Sequence, residues 1–274
     1  MASISEVAIG VRRNPHEALR TALSRLNEPL VPPRNVQRVV IKPSIYDPDL
    51  PGNTNVNVVR SVVHMFRSIG PICVVESDNP LRMAKDAFAR CGYLELEDEG
   101  AELLNLSDSE LTSIKFAGHF FQSRKMPGIL HDNIFLINIA TLKAEPEICT
   151  VGAGIKNLFG LLPELDKSIY HTSIDHVLMD LLDAYRPNLT VIDLTEVVIG
   201  SRTEGRTKQI GGVVVGLDPV AVDSFCSSLL GIDPLKVNYL RIATSLGMGE
   251  VLSDRILVRG TEHQKEELSR ILNK

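Results

Sequence analysis

Short, unbroken apolar runs recur along this chain, and helical stripes separate them. Val39–Ile41, Ile72–Val75, Ile134–Ile137, Leu189–Ile192 and Val213–Val215 are rich in β-branched residues. They are continuous rather than alternating, as strands covered on both faces should be. Between the first two, Val58, Val62, Met65, Phe66 and Ile69 fall on one stripe of a helix over 55–69, stopped by Gly70-Pro71. Residues 80–90, followed by Gly92, read as a second helix. A third, over 174–185, repeats Val177, Leu178, Leu181 and Leu182 ahead of Pro187. Helices over 219–230 and 234–246 stop at Gly231 and Gly247, and a charged amphipathic helix covers 262–274.

This alternation predicts an α/β fold, a mainly parallel sheet with helical crossovers. It breaks near residues 101–130. There Leu103–Leu106 and Ser113–Phe116 read as short strands of a small inserted antiparallel β segment, a hairpin at a sheet edge. The 274 residues are read as a single α/β unit. Two intimately packed halves, about 1–135 and 136–274, are the alternative.

Composition narrows the function classes. With 44% apolar and 23% charged residues the chain is ordinary globular protein, and a net charge of −5 argues against a nucleic-acid partner. No apolar run approaches the roughly 20 residues that span a bilayer. The first residues lack the charged start and apolar core of a secretory signal. A cytoplasmic protein without a membrane partner is expected. The cysteines, at 73, 91, 149 and 226, form no Cys-x-x-Cys pair, so neither a zinc ribbon nor an intrinsic iron–sulfur cluster is expected. Cys73 and Cys226 lie in apolar runs and read as buried thiols.

Four of the apolar runs hand over to a polar residue: Lys42, Glu76, Asn138 and Asp193. Ligands of open α/β sheets bind outside the carboxyl ends of the strands, so these side chains are expected on one sheet edge. The plain alternative is that polar residues merely end strands. Glu76 and Asp193 follow runs that carry them inward, where a carboxylate needs a lysine, a metal or a proton. Both are therefore candidate ligands of a divalent cation, and Asp193 is also a candidate acid or base. After Lys42-Pro43-Ser44, the stretch Asn53-Thr54-Asn55 holds good helix N-caps, with an anion site beside Lys42 as the second reading.

The richest segment is 150–176. Gly152 and Gly154 lead into Lys156 and Asn157, and Lys167, Tyr170 and His171 follow. Glycines admit a ligand to the backbone, helix-start amides favour anions, and lysine adds a point charge. The spacing is not that of a Walker loop. Lys42, Asn138, Lys143, Gly152, Gly154, Asn157 and Lys167 are thus candidate ligand-binding residues, and Lys156, His171 and Asp193 candidate catalytic ones. His171 with Asp175 four residues on reads as an acid/base with its orienter, if a helix face holds both. His171 and His176 lack the spacing of a zinc helix.

Several of these pieces together resemble the family catalogued as domain of unknown function 362. They are Val-Ile-Lys-Pro at 40–43, Ile137-Asn138 through Leu142-Lys143, Ile-Lys-Asn-Leu-Phe-Gly at 155–160 with Lys167 and Tyr170-His171, Pro-Asn-Leu-Thr-Val-Ile-Asp at 187–193, Gly-Leu-Asp-Pro-Val-Ala-Val-Asp at 216–223, and Gly-Ile-Asp-Pro at 231–234. The resemblance spans about 37–250. It implies little mechanism. Many relatives look like fusions to a four-cysteine ferredoxin module; the scattered cysteines here do not read as one, so no iron–sulfur label is expected to carry over. The family's Lys-Thr-His is Lys143-Ala144-Glu145 here, and the loop after the aspartate strand is altered over 200–206. The expectation is an enzyme that binds a small phosphorylated or carboxylated metabolite at the carboxyl edge of the sheet, with a divalent cation as an option. A redox protein served by a separate iron–sulfur partner and a ligand-binding module without turnover are the alternatives. A homo-oligomer fits any of the three.

Overall fold

The structure, a computed structural model, describes residues 4–145, 149–200, 202–204 and 206–272. Its strands are β1 (Ser5–Gly10), β2 (Arg38–Lys42), β3 (Ile72–Glu76), β4 (Ala101–Asn105), β5 (Leu111–Lys115), β6 (Ser123–Pro127), β7 (Ile134–Glu145), β8 (Thr150–Gly152), β9 (Leu189–Val198), β10 (Thr207–Gln209), β11 (Val213–Gly216) and β12 (Ile256–Arg259). The helices are α1 (Pro15–Leu23), α2 (Val56–Phe66), α3 (Ala84–Arg90), α4 (Glu95–Asp98), α5 (Gly154–Asn157), α6 (Ile174–Ala184), α7 (Pro219–Leu229), α8 (Asn238–Ser245) and α9 (Glu262–Leu272).

One ten-stranded sheet runs through the molecule in the order β12-β1-β11-β9-β7-β2-β3-β4, with β10 beside β9 and β8 beside β7. From β9 to β4 all neighbours are parallel. Alternate residues of each strand enter different cores. Val39, Ile41, Val74, Phe135 and Val191 pack with α1 to α4 on one face, while Val40, Val75, Leu136 and Ile192 pack with α6 to α8 on the other. Each Val or Ile so enclosed stabilises the fold by about 1.5–3 kcal/mol. Burial on both faces is why these strands are continuous apolar runs.

The topology fixes where a ligand can enter. Chain progress from β2 through α2 to β3 and on to β4 moves outward in one direction. Progress from β7 through α6 to β9 moves in the other. The reversal falls between β2 and β7, where Lys42 is in register with Asn138. A sheet whose crossover helices part in this way leaves a crevice at the carboxyl ends of its diverging strands.

Some expectations change. Residues 103–105 belong to β4 and pair in parallel with β3, and the antiparallel hairpin is β5 with β6. The strands through Asn138 and Asp193 do not end there but continue to Glu145 and Val198. The helix expected over 80–90 begins only at Ala84, because Asn79 and Arg82 form a bridge that turns the chain first. Residues 234–246 divide into a 3-10 turn, Pro234–Lys236, and α8.

Candidate functional site

The crevice is a cleft of about 900 Å3. β2 supplies Lys42, β3 supplies Glu76 and β7 supplies Lys143. Residues of the segment 152–171, with Gly200, Arg202, Thr203 and Arg206 from beyond β9, also line it.

Lys42 is 1% exposed, and its ammonium donates to Glu76 at 3.0 Å and to its neighbour's carbonyl, Pro43 O, at 2.6 Å. Glu76 also accepts from the Ile45 and Ser77 amides at 3.2 and 2.9 Å, and Arg82 stands 3.7 Å away. Burial pushes the Lys42 ammonium below the ordinary lysine pKa, the Glu76 charge opposes that, and Arg82 and Lys156 add repulsion. Arg82 itself is buried and tied to the carbonyls of Ser77, Ile45 and Tyr46. These ties fix the loop after β2 and the loop after β3 as one unit. A buried pair of this kind contributes little net stability, yet removing one partner is costly.

Lys143 is buried, with its ammonium donating to Ser44 Oγ at 3.3 Å, to Gly52 O at 3.4 Å and to Thr141 Oγ1. Lys167 donates to Asp78 O at 2.7 Å and Glu164 O at 2.6 Å. Burial lowers its pKa to about 8, with Glu76 opposing and Lys42 and Arg82 reinforcing. Lys156 rises from α5 with its ammonium 4.6 Å from the centre of the Phe159 ring. His171 lines the same cleft, 5.7 Å from that ring. Across the mouth, the Arg202 guanidinium lies 5.0 Å from the Tyr46 ring.

Charge is the site's dominant property. Lys42, Lys143, Lys156 and Lys167 with Arg82, Arg202 and Arg206 are seven cationic side chains on one cleft. Among the described residues its carboxylates are Asp47, Glu76 and Asp166. Among the described residues, cations on the wall thus outnumber carboxylates seven to three, in a chain whose net charge is −5.

Of the residues named from the sequence, Lys42, Glu76, Lys143, Gly152, Lys156, Asn157, Lys167 and His171 line the cleft. Gly154 stands behind it and does not present its amide to a ligand. That amide and the one of Ile155 donate to Asp223 at 2.8 and 2.9 Å. A Cβ on Gly154 would meet Thr190 Cγ2 at 2.6 Å and Asp223 Oδ1 at 3.0 Å, so glycine is there for internal packing. Gly152 lies in β8 opposite Lys143. Asn138 is fully buried: its amide donates to Gly154 O at 2.7 Å and its oxygen accepts from Asn157 at 2.8 Å. It positions the loop instead of facing the cleft. Asn157 reaches back to Lys42 O at 3.1 Å.

Asp193 is placed elsewhere. Two positions beyond Val191 in β9, it shares that residue's face, the one covered by α2, opposite the face of Lys42 and Asn138. Its carboxylate accepts from the Asn55 amide at 2.8 Å and the Thr195 amide at 2.7 Å, and burial raises its pKa. Asp193 therefore holds the start of α2, whose N-cap is Asn55. Glu76 and Asp193 do not meet. Among the described residues no three His, Cys, Asp or Glu side chains gather as a metal site. The expected His171–Asp175 pair is also separated: His171 lies in a 3-10 segment, Ser168–Ser173, and Asp175 lies in the first turn of α6 beside His176, Asn238 and Arg241. Cys73 and Cys226 are buried, and burial with Glu102 pushes the Cys73 thiol up to about 11.

Three cleft cations were not singled out from the sequence. Arg202 and Arg206 sit in the altered loop at 200–206, and Arg82 follows Pro80. Two arginines four apart in a loop after a buried strand were the available signal.

Comparison with known proteins agrees with this frame. The sequence model described as Domain of unknown function (DUF362) matches residues 39–228. That span includes β2 to β9, the cleft and most of α7, and the chain belongs to this family. It is also similar to the thylakoid-associated protein sll1697 of Synechocystis sp., at 23% identity over 263 residues. The match covers 89% of this chain and 80% of the relative. Among the described residues no helix is long and apolar enough to cross a membrane.

Proposed function

We propose that the cleft binds a small anionic metabolite, phosphorylated or carboxylated, and that this chain is a cytoplasmic enzyme acting on it. One observation carries the reading: among the described residues, seven cationic side chains stand against three carboxylates on one concave wall. Like charges that share a cleft repel, by about 1 kcal/mol per pair were they 4 Å apart in water and more where solvent is excluded. A bound anion relieves that repulsion. The Lys42–Glu76 pair serves as a neutralised floor, and Lys156 on the wall supplies charge for the ligand.

Acid–base chemistry is the form of turnover these residues support. Lys167, with its pKa lowered to about 8, borders the cleft beside His171, and a lysine that gives up its proton that close to neutral pH suits such work. Native mass spectrometry of freshly purified protein tests the reading. A retained ligand bearing phosphate or carboxylate is expected, and a retained neutral or cationic ligand contradicts it.

A further inference from the structure

The cleft is larger than a simple anion needs, and its mouth differs from its floor. Inorganic phosphate or a small dicarboxylate fills only a fraction of about 900 Å3, a volume in the range of sites for much larger ligands. The lysines at the floor, Lys42 and Lys143, are buried. At the mouth stand Leu81, Leu165 and Tyr46, which are 56%, 53% and 45% exposed although each lines the cleft. They come from different segments. Lys167 brings the Leu165 segment against the strand-end loop of Leu81 through its bond to Asp78 O, and Arg82 ties that loop to Tyr46 O. Apolar side chains gathered at the mouth of a charged cleft, by contacts specific enough to hold them there, indicate a ligand surface. Asp166, next to Leu165, is exposed, and its carboxylate disfavours a second anionic group on that side.

We infer that the ligand is an anionic amphiphile: a phosphate-type head on the lysines of the cleft, and an apolar chain or ring lying across Leu81, Leu165 and Tyr46. The inference rests on the anion-binding reading and adds the apolar half of the ligand to it. A free alkyl phosphate and the headgroup of a membrane lipid share this chemistry.

Dissociation constants for ethyl phosphate, octyl phosphate below its critical micelle concentration and the neutral octyl glucoside decide it. They are measured by calorimetry on the full chain. Each methylene that leaves water tightens binding about fourfold, so two of them give roughly fifteenfold. Octyl phosphate is expected to bind at least tenfold tighter than ethyl phosphate. The Leu81→Ser/Leu165→Ser double variant brings that ratio toward one. Both leucines are more than half exposed, so serine leaves the core unchanged. Equal affinity for the two phosphates overturns the amphiphile and leaves the anion reading standing, whereas no binding of either overturns both. A ratio that survives in the double variant, or octyl glucoside binding as tightly as octyl phosphate, also overturns the inference. Given tight octyl phosphate, co-sedimentation with phosphatidylcholine vesicles containing phosphatidic acid assigns the head to a bilayer lipid. Its absence assigns a free amphiphile.

Discussion

Lys42 passes through the space that a side chain on Gly160 would occupy. A Cβ built on Gly160 would lie 2.8 Å from both Cε and Nζ of Lys42. The glycine lets the segment after α5 close over the lysine while Ser77 Oγ donates to Gly160 O at 2.9 Å. Gly160→Ala is expected to displace the ammonium from Glu76 and to lower stability by about 1–3 kcal/mol, the usual range for overpacking. Urea denaturation of the two proteins measures it, and an unchanged midpoint contradicts this account of the glycine.

Removing Glu76 leaves Lys42 and Arg82 buried without their carboxylate. Glu76→Ala is expected to cost about 3–5 kcal/mol, whereas Lys42→Met combined with Glu76→Leu costs clearly less than the sum of the single changes. A double-mutant cycle in urea gives both quantities. Strict additivity would mean that the two residues do not act as a pair.

Asp223 links pH to the loop that carries Lys156. Three donors hold its carboxylate, the amides of Gly154 and Ile155 and the Tyr239 hydroxyl at 3.1 Å, yet full burial raises its pKa from 3.8 to about 7. The folded state thus holds this proton more tightly than the unfolded one. The resulting stability is fully present below pH 4 and is lost as pH rises through about 7. Asp223→Asn carries no such titration. Between pH 5 and pH 8 the stability difference should move in favour of the variant, as followed by urea midpoints across the range. A pH-independent difference contradicts the assignment.

Lys167 gives the cleft a pH limit. With its pKa lowered to about 8, its charge is lost as pH rises past that value, and anion affinity should fall with it. Lys167→Met is expected to bind phosphate more weakly at pH 7 and to lose most of the decline between pH 7 and pH 9. Calorimetric titrations at several pH values check this. An identical decline in the variant assigns the titration to another group.

Asp180 anchors the hairpin of β5 and β6. Four successive amides, Gly118 to Phe121, donate to its carboxylate at 2.6–3.2 Å. Asp180→Ala leaves all four without that acceptor and is expected to cost about 3 kcal/mol or more. Hydrogen exchange should accelerate at residues 118–121 well before it does in β2 or β3. Protection that persists there would show that the carboxylate is not what holds the hairpin.

How much of this was legible in the sequence follows from what each residue touches. The buried strands were, since parallel strands covered on both faces must be apolar throughout. Asn138 and Asp193 were misread as strand ends because a polar residue in a buried run normally marks an edge. Here both are satisfied inside the sheet, by Gly154 O and Asn157 and by the start of α2. β1 and β12 escaped notice because the apolar part of Ser5–Gly10 is short, after the polar Ser5 and Glu6, and because Ile256–Arg259, at the sheet edge, mixes polar with apolar residues. The lysines of the cleft were legible by their positions after strands and glycines. Arg82, Arg202 and Arg206 were not, because only the folded chain brings 82 and 202–206 together. The loop at 152–157 was found, but its amides turn inward, and the reason is Asp223, seventy residues away in sequence.

An anion held on Lys156 and its neighbours should stabilise the folded chain. Thermal melts of the wild type and of Lys156→Ala, each with and without phosphate and small dicarboxylates, test it most directly. Mass action raises wild-type stability by about 2.7 kcal/mol at a hundred times the dissociation constant. Lys156 is half-buried at the cleft wall, so the variant's unliganded melt should be nearly that of the wild type while its response to anions is lost. A wild-type melt that no anion shifts, or a variant that responds as strongly as the wild type, would contradict the account.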